Sequence, residues 1–163
     1  MKKYVIKIII IFIIILFSGC SLPDIEMQKF PYYGNALRFD GYYQSEQTDF
    51  VLFFYRDGTV LKIDKSEISI NSTVIDTERV KTDKRYWGTL QIQEPQIEFE
   101  IIQFMSDFYG LFHYYGIIDS NESFYITKYV SQKRNIQNIS NENFSFKFYS
   151  SEKPDSINQC IKW

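Results

Sequence analysis

Histidine and cysteine are scarce in this 163-residue chain, which has one histidine, His113, and two cysteines, Cys20 and Cys160. A zinc site draws most of its ligands from these residue types, and His113 has no such companion nearby in the sequence. Glycine is scarce as well: there are seven, none in a Walker-like spacing, so a glycine-rich phosphate loop is excluded. No nucleophile-elbow motif is present. We therefore expect a protein that is not an enzyme and uses no cofactor or metal, with His113 as a hydrogen-bonded strand residue.

Positive charge is not in excess, since 18 Lys and Arg residues stand against 20 Asp and Glu residues, a net charge of −2. Proteins that bind nucleic acids carry a basic face, which this balance does not provide. We expect no nucleic-acid partner.

An apolar run long enough to span a membrane is also missing. Residues 8–17 carry no polar side chain, but a transmembrane helix needs about 20 apolar residues. Lysines precede the run, and the small residues Ser18 and Gly19 follow it. This order of a positive, an apolar and a small-residue region is typical of a secretory signal peptide, so we expect residues 1–19 to be removed on export.

The end of that segment, Phe17-Ser18-Gly19-Cys20, resembles the lipobox of bacterial lipoproteins. The resemblance implies that Cys20 is the first residue of the mature chain, with a diacylglycerol on its thiol and an acylated amino terminus. Two or more acyl chains give stable membrane anchoring, whereas one gives only marginal binding. We expect a cell-envelope location, at the outer membrane, with the domain facing the periplasm or the cell surface. The alternative is cleavage elsewhere, with Cys20 paired to Cys160.

Residues 20–36 lack a clear period, and we interpret them as a lipidated tether. Residues 37–163 are enough for one domain with its own core. In this part of the chain, short runs rich in Tyr, Phe, Ile and Val alternate with turn residues, which is typical of an all-β domain.

Three turns divide the runs into hairpins. Asp57-Gly58 is among the strongest short hairpin signals, and Glu94-Pro95 and Asp119-Ser120-Asn121 predict two more. The predicted strands cover residues 39–44, 50–56, 59–64, 85–93, 96–103, 109–118, 122–130 and 143–150.

Alternation along the strands predicts which faces are buried. In residues 97–101 apolar side chains alternate with Glu98 and Glu100, which predicts a solvated outer face for the two carboxylates. Residues 50–55 are apolar at every position, so we expect that strand to be covered on both sides.

Two segments break the rhythm. Residues 65–84 fit a strand, a flap or a short helix, and the helix would cover 77–83. Residues 131–142 are polar and rich in Asn, and we expect a loop with at most one helical turn.

About eight antiparallel strands joined by tight turns predict an up-and-down β-barrel, because closure removes the sheet edges. A two-sheet β-sandwich is the alternative. The chain also resembles small bacterial lipoproteins with lipocalin-like β-barrels, which implies a cup-shaped barrel. The stretches that carry this resemblance are Leu37-Arg38-Phe39-Asp40-Gly41-Tyr42-Tyr43, Tyr55-Arg56-Asp57-Gly58-Thr59-Val60, Trp87-Gly88-Thr89-Leu90 and Lys153-Pro154-Asp155-Ser156.

Aromatic residues make up 18% of the chain, and at the mouth of a barrel they suit a hydrophobic or amphipathic ligand. We expect the protein to bind such a small molecule without catalysing a reaction. The favoured contacts are Tyr43, Phe53, Tyr55, Trp87 and Phe112. The alternative is a protein–protein interaction or structural module of a cell-envelope complex, which predicts a filled interior and an exposed aromatic patch.

Overall fold

The computed structural model of the chain describes residues 28–67, 80, 83–105, 108–133, 136–141 and 143–151. Predictions about the signal peptide, Cys20, Cys160 and most of residues 65–84, including the helix over 77–83, lie outside these residues. The described residues form nine strands and two short 3-10 turns, Lys65–Glu67 and Lys84–Tyr86. The strands are β1 Gly41–Gln44, β2 Phe50–Phe54, β3 Thr59–Asp64, β4 Trp87–Gln93, β5 Gln96–Met105, β6 Phe108–Ser120, β7 Ser123–Lys133, β8 Ile136–Ser140 and β9 Phe144–Ser150.

Eight of the strands close into an antiparallel barrel. Each of β1 to β7 pairs with the next strand, and β9 joins β7 back to β1. The predicted eight-stranded barrel is confirmed, and β8 is an additional strand. No helix among the described residues is long and apolar enough to cross a bilayer.

The predicted hairpins are present. Gly58 has φ +86°, a left-handed conformation that glycine adopts without steric cost, and the Asp57 side chain accepts a hydrogen bond from the Thr59 backbone N–H at 3.0 Å. Local turn chemistry therefore sets the β2–β3 register.

The loop predicted at 131–142 is wrong. β7 continues to Lys133. Residues 129–133 of β7 pair with β8, and residues 123–126 of β7 pair with β9 on the same edge. β8 and β9 thus follow one another along β7. Pairing with a long neighbour overrides the weak strand preference of this Asn-rich sequence.

Aromatic side chains fill the barrel interior. The rings of Phe54, Phe99 and Phe124 contact one another at centroid distances of 5.6–6.3 Å, and Tyr43 lies 5.3 Å from both Phe54 and Phe124. Full burial of one such side chain contributes about 1.5–3 kcal/mol. The middle of the barrel is thus packed as an ordinary protein core.

A second apolar cluster covers the outer face of β2, β3 and β4. Phe53, Tyr55 and Trp87 pack there with Val80 and Tyr86, and the Trp87 indole N–H donates to the Val80 carbonyl at 2.7 Å. This confirms that β2 is covered on both sides.

One end of the barrel, which we call the closed end, carries the β2–β3, β4–β5 and β6–β7 turns. Residues 28–40 run across it. The Tyr32 N–H donates to the Arg56 carbonyl at 2.8 Å, and the Arg38 N–H donates to the Asn121 carbonyl at 3.0 Å. The N-terminal segment therefore joins two of these turns.

Candidate functional site

The five favoured ligand contacts do not lie in one place. Tyr43 and Phe112 belong to the barrel interior, whereas Phe53, Tyr55 and Trp87 belong to the outer cluster. All five are buried, and none lines either of the two cavities described below. Their part in ligand binding stays a prediction, and their visible role is in packing.

Tyr43 has a polar task as well. Its hydroxyl accepts a hydrogen bond from the Arg38 N–H at 2.9 Å and lies 3.1 Å from the Asn121 carbonyl, to which it can donate. Burial raises the pKa of Tyr43 above its ordinary value, so the hydroxyl stays protonated. Tyr43 thereby fastens the N-terminal segment to the closed end.

At the opposite end of the barrel, the part of the chain that the structure describes leaves an opening in the wall. β4 begins at Trp87, opposite Leu61 of β3, while both neighbouring strands continue beyond that point, β3 to Asp64 and β5 to Met105. The chain before Trp87 is instead the turn Lys84–Tyr86, which Asp83 caps by accepting from the Arg85 N–H. Among the described residues, the late start of β4 leaves a gap between β3 and β5.

A cavity of about 450 Å³ occupies this gap, and we call it the mouth cavity. Its volume lies within the usual range for small-molecule sites. It is lined by Asp49, Phe50, Lys62, Asp64, Lys65, Ser66, Gln103 and Phe104.

Lys62 is the unusual residue of the mouth cavity. It follows Val60 on the inward-facing side of β3 and is only 7% exposed, although lysine is almost never buried unless it is paired. Its ammonium lies 3.2 Å from an Asp64 carboxylate oxygen and 5.8 Å from the centre of the Phe50 ring. A cation thus lies where the aromatic core ends.

The remaining walls combine polar and apolar groups. Lys65 donates to the Ser45 carbonyl at 2.7 Å, and Gln103 accepts from the Tyr114 hydroxyl at 3.0 Å. Phe104 is 56% exposed at the rim. The lining of the mouth cavity therefore combines two lysines, two aspartates and two phenylalanine rings.

A second cavity, of about 260 Å³, lies on the outer face of the barrel around His113. The imidazole Nε2 is 3.2 Å from a Glu98 oxygen, and Nδ1 is 3.5 Å from a Glu100 oxygen and 3.3 Å from the Tyr115 hydroxyl. Burial, and then the charges of Glu98 and Glu100, raise the pKa of Tyr115. His113 is thus the hydrogen-bonded strand residue that the sequence predicts.

The predicted solvated face is wrong for Glu100, which is only 4% exposed. The β5–β6 register places Glu100 directly opposite His113, whose ring lies against it. The alternation of apolar and polar residues within one strand does not show that a side chain of the neighbouring strand covers one of them. Pairing the ends of the predicted strands 96–103 and 109–118 sets residue 103 opposite 109, one residue out of the observed register of 103 opposite 110, so the sequence pattern does not place Glu100 against His113.

Neither cavity has the ligand set of a metal site. Among the residues described, no group of three or more His, Cys, Asp or Glu side chains is arranged to hold a metal ion. Comparison with protein-family models, with curated proteins and with solved structures gives no match for this chain. The chemistry of the two cavities therefore carries the functional inference.

Proposed function

We propose that this protein is a lipid-anchored, non-enzymatic protein of the bacterial cell envelope that binds a small amphipathic molecule in the mouth cavity. The lipobox-like sequence ending at Cys20 supports the anchor. The burial of Lys62 at the floor of the mouth cavity carries the binding proposal.

Burying an ammonium costs desolvation free energy. Packing does not explain a lysine at this inward position, because an apolar side chain there would extend the core without that cost. The ammonium carries three donor hydrogens. In the part of the chain that the structure describes, Asp64 is the single hydrogen-bond acceptor for it, so two donors remain for a ligand. An anionic head group matches these donors, and charge-assisted hydrogen bonds are the stronger kind.

The apolar part of the ligand has a defined place. Phe50 and Phe104 offer aromatic surface in the mouth cavity, whereas the packed rings of Phe54, Phe99 and Phe124 fill the barrel beneath it. The ligand therefore lies across the opening between β3 and β5 and does not enter the middle of the barrel. A short or medium-length chain suits this depth.

A comparison of three probes with the same chain tests the head group: decanoate, decanol and decylammonium. We expect decanoate to bind most tightly to the mature lipidated protein in detergent micelles, measured by isothermal titration calorimetry. Native mass spectrometry of the protein purified from its own cells identifies any retained molecule. Equal affinity for the three probes, or tighter binding of decylammonium, would contradict an anionic head group.

The second candidate function is an interaction module of an envelope complex. It is favoured by the packed interior together with exposed aromatic side chains on the outer face of the barrel, Tyr125 on β7 and Tyr149 on β9. A photo-cross-linking residue at position 149 tests it in cells. The same cross-linking residue placed at position 104 is the control. A defined protein adduct that forms from position 149 but not from position 104 supports this function. Absence of any adduct from both positions contradicts it.

A further inference from the structure

Two aromatic side chains are exposed at the start of the described chain. Phe30 is 44% exposed and Tyr33 is 84% exposed, and Pro31 between them is exposed as well. Rings in water gain no burial energy, and a tyrosine ring with its hydroxyl suits the interface between water and lipid. Within the described residues, these two rings are left available to a surface outside the domain.

The backbone that carries these rings is fixed to the closed end. A Cβ on Gly58 would lie 2.5 Å from the Phe30 carbonyl oxygen, so the residue at the β2–β3 turn must be small for the segment to lie this close. Lys29 pairs with Asp57 at 3.4 Å, and the Tyr32 hydroxyl bonds to Glu94. Phe30 and Tyr33 are thus presented from a well-supported surface.

The same surface is near the proposed lipid. Seven residues lie between Cys20 and Gln28, the first residue described, and the eight steps of an extended chain reach at most roughly 30 Å. The anchored protein therefore cannot move its N-terminal segment far from the lipid surface. The mouth cavity, at the opposite end of the barrel, has no such tie.

We propose that Phe30 and Tyr33 insert into the headgroup region of the bilayer that holds the lipid anchor, so that the closed end rests on the membrane and the mouth cavity faces away. This proposal rests on the lipid anchor of the proposed function. The anchor supplies retention at the membrane, and the two rings set the orientation of the barrel. The mouth cavity is then open to molecules from the aqueous side.

The charges of the closed end supply no attraction to anionic lipid. Lys29 pairs with Asp57, and Arg38 pairs with both Asp40 and Glu122, so two cations stand against three carboxylates. We expect the orientation to be held at least as well on zwitterionic as on anionic lipids, because aromatic insertion and not Coulomb attraction holds it.

Fluorescence quenching by brominated lipids tests the orientation. The full mature protein carrying Tyr33→Trp is reconstituted into phosphatidylethanolamine–phosphatidylglycerol vesicles that contain brominated phospholipid. Phe104→Trp, at the rim of the mouth cavity, is the matched control, and the unsubstituted protein gives the background from native tryptophan. We expect strong extra quenching for Tyr33→Trp and none for Phe104→Trp. Equal quenching, or stronger quenching of Phe104→Trp, overturns the proposal.

Two measurements distinguish failure of the orientation proposal from failure of the lipid-anchor proposal. Fatty-acid labelling of the same preparations, with Cys20→Ser as the unlabelled control, reports the anchor alone. Labelled protein without quenching at position 33 overturns the orientation and leaves the anchor intact. Absence of label overturns the anchor. The double variant F30S/Y33S should keep its label and its thermal midpoint but lose the fixed orientation, seen as equal quenching of tryptophans placed at positions 35 and 104.

Discussion

Tyr43 connects parts of the chain that are far apart in sequence, since its hydroxyl reaches Arg38 and, 78 residues away, Asn121. The variant Tyr43→Phe keeps the ring in the aromatic core and removes these bonds. We expect it to lower the free energy of unfolding by about 0.5–1.5 kcal/mol, measured by urea denaturation at neutral pH. Tyr129→Phe is the control, because its ring also packs at the core but no backbone hydrogen bond fastens it to the N-terminal segment.

The same residue gives a pH dependence with a defined sign. Burial raises the pKa of Tyr43 in the folded protein above 10.0, so the folded state holds a proton that the unfolded chain releases at that pH. The stability linked to this proton is complete below pH 10 and is lost as pH rises through the folded pKa. The unfolding free energy of Tyr43→Phe should thus fall less steeply above pH 10 than that of the native protein. Parallel curves for the two proteins would show that Tyr43 does not contribute.

His113 lies against the buried Glu100 carboxylate. The variant His113→Leu keeps the approximate volume but removes the partner 3.5 Å from Glu100. We expect a loss of about 1–3 kcal/mol in unfolding free energy, because a buried polar group that loses a partner is costly. Tyr125→Leu, an exposed site on β7, is the control. Adding Glu100→Gln should recover part of the loss, and no recovery would contradict the coupling between these two residues.

At the scale of elements, β4 sets the position of the mouth cavity through its start at Trp87 and its close approach to β5. A Cβ on Gly88 would clash with the Glu100 carbonyl oxygen and lie 2.9 Å from the Val60 side chain. Gly88→Ala should therefore force β4 away from its neighbours and cost about 1–3 kcal/mol, measured by denaturation. Ser145→Ala, on an exposed site of β9, should change little. Native stability of Gly88→Ala would show that the strands separate easily here.

The elements that the sequence predicts are those with local signals. Asp57-Gly58 and Glu94-Pro95 carry their turn chemistry within a few residues, so the hairpins follow from the sequence. β8 could not be predicted in that way, because its residues become a strand only through pairing with β7. Similarly, the predicted strand at 85–93 begins at 87 in the structure, since a capped 3-10 turn precedes it. The mouth cavity depends on that late start and was therefore outside the reach of sequence patterns.

At the scale of the whole molecule, the two ends of the barrel have different chemistry. The closed end carries the N-terminal segment, and the opposite end carries the mouth cavity with Lys62. Closure of the sheet predicted the barrel, which is confirmed, and aromatic rings fill its middle. The aromatic residues predicted as ligand contacts lie in these packed clusters. A period-two pattern shows that a position is buried, but it does not show whether the side chain packs in a core or lines a cavity.

The central claim is that Lys62 receives the head group of an anionic amphipathic ligand in the mouth cavity. Titration of decanoate into the mature protein and into Lys62→Met tests it most directly, with Lys147→Met, at an exposed site of β9, as the matched control. Methionine keeps an unbranched side chain that is one atom shorter, and it removes the charge. We predict that Lys62→Met weakens binding about tenfold or more, ~1.4 kcal/mol, while Lys147→Met binds as the native protein does. Unchanged affinity in Lys62→Met, or an equal loss in both variants, would contradict the claim.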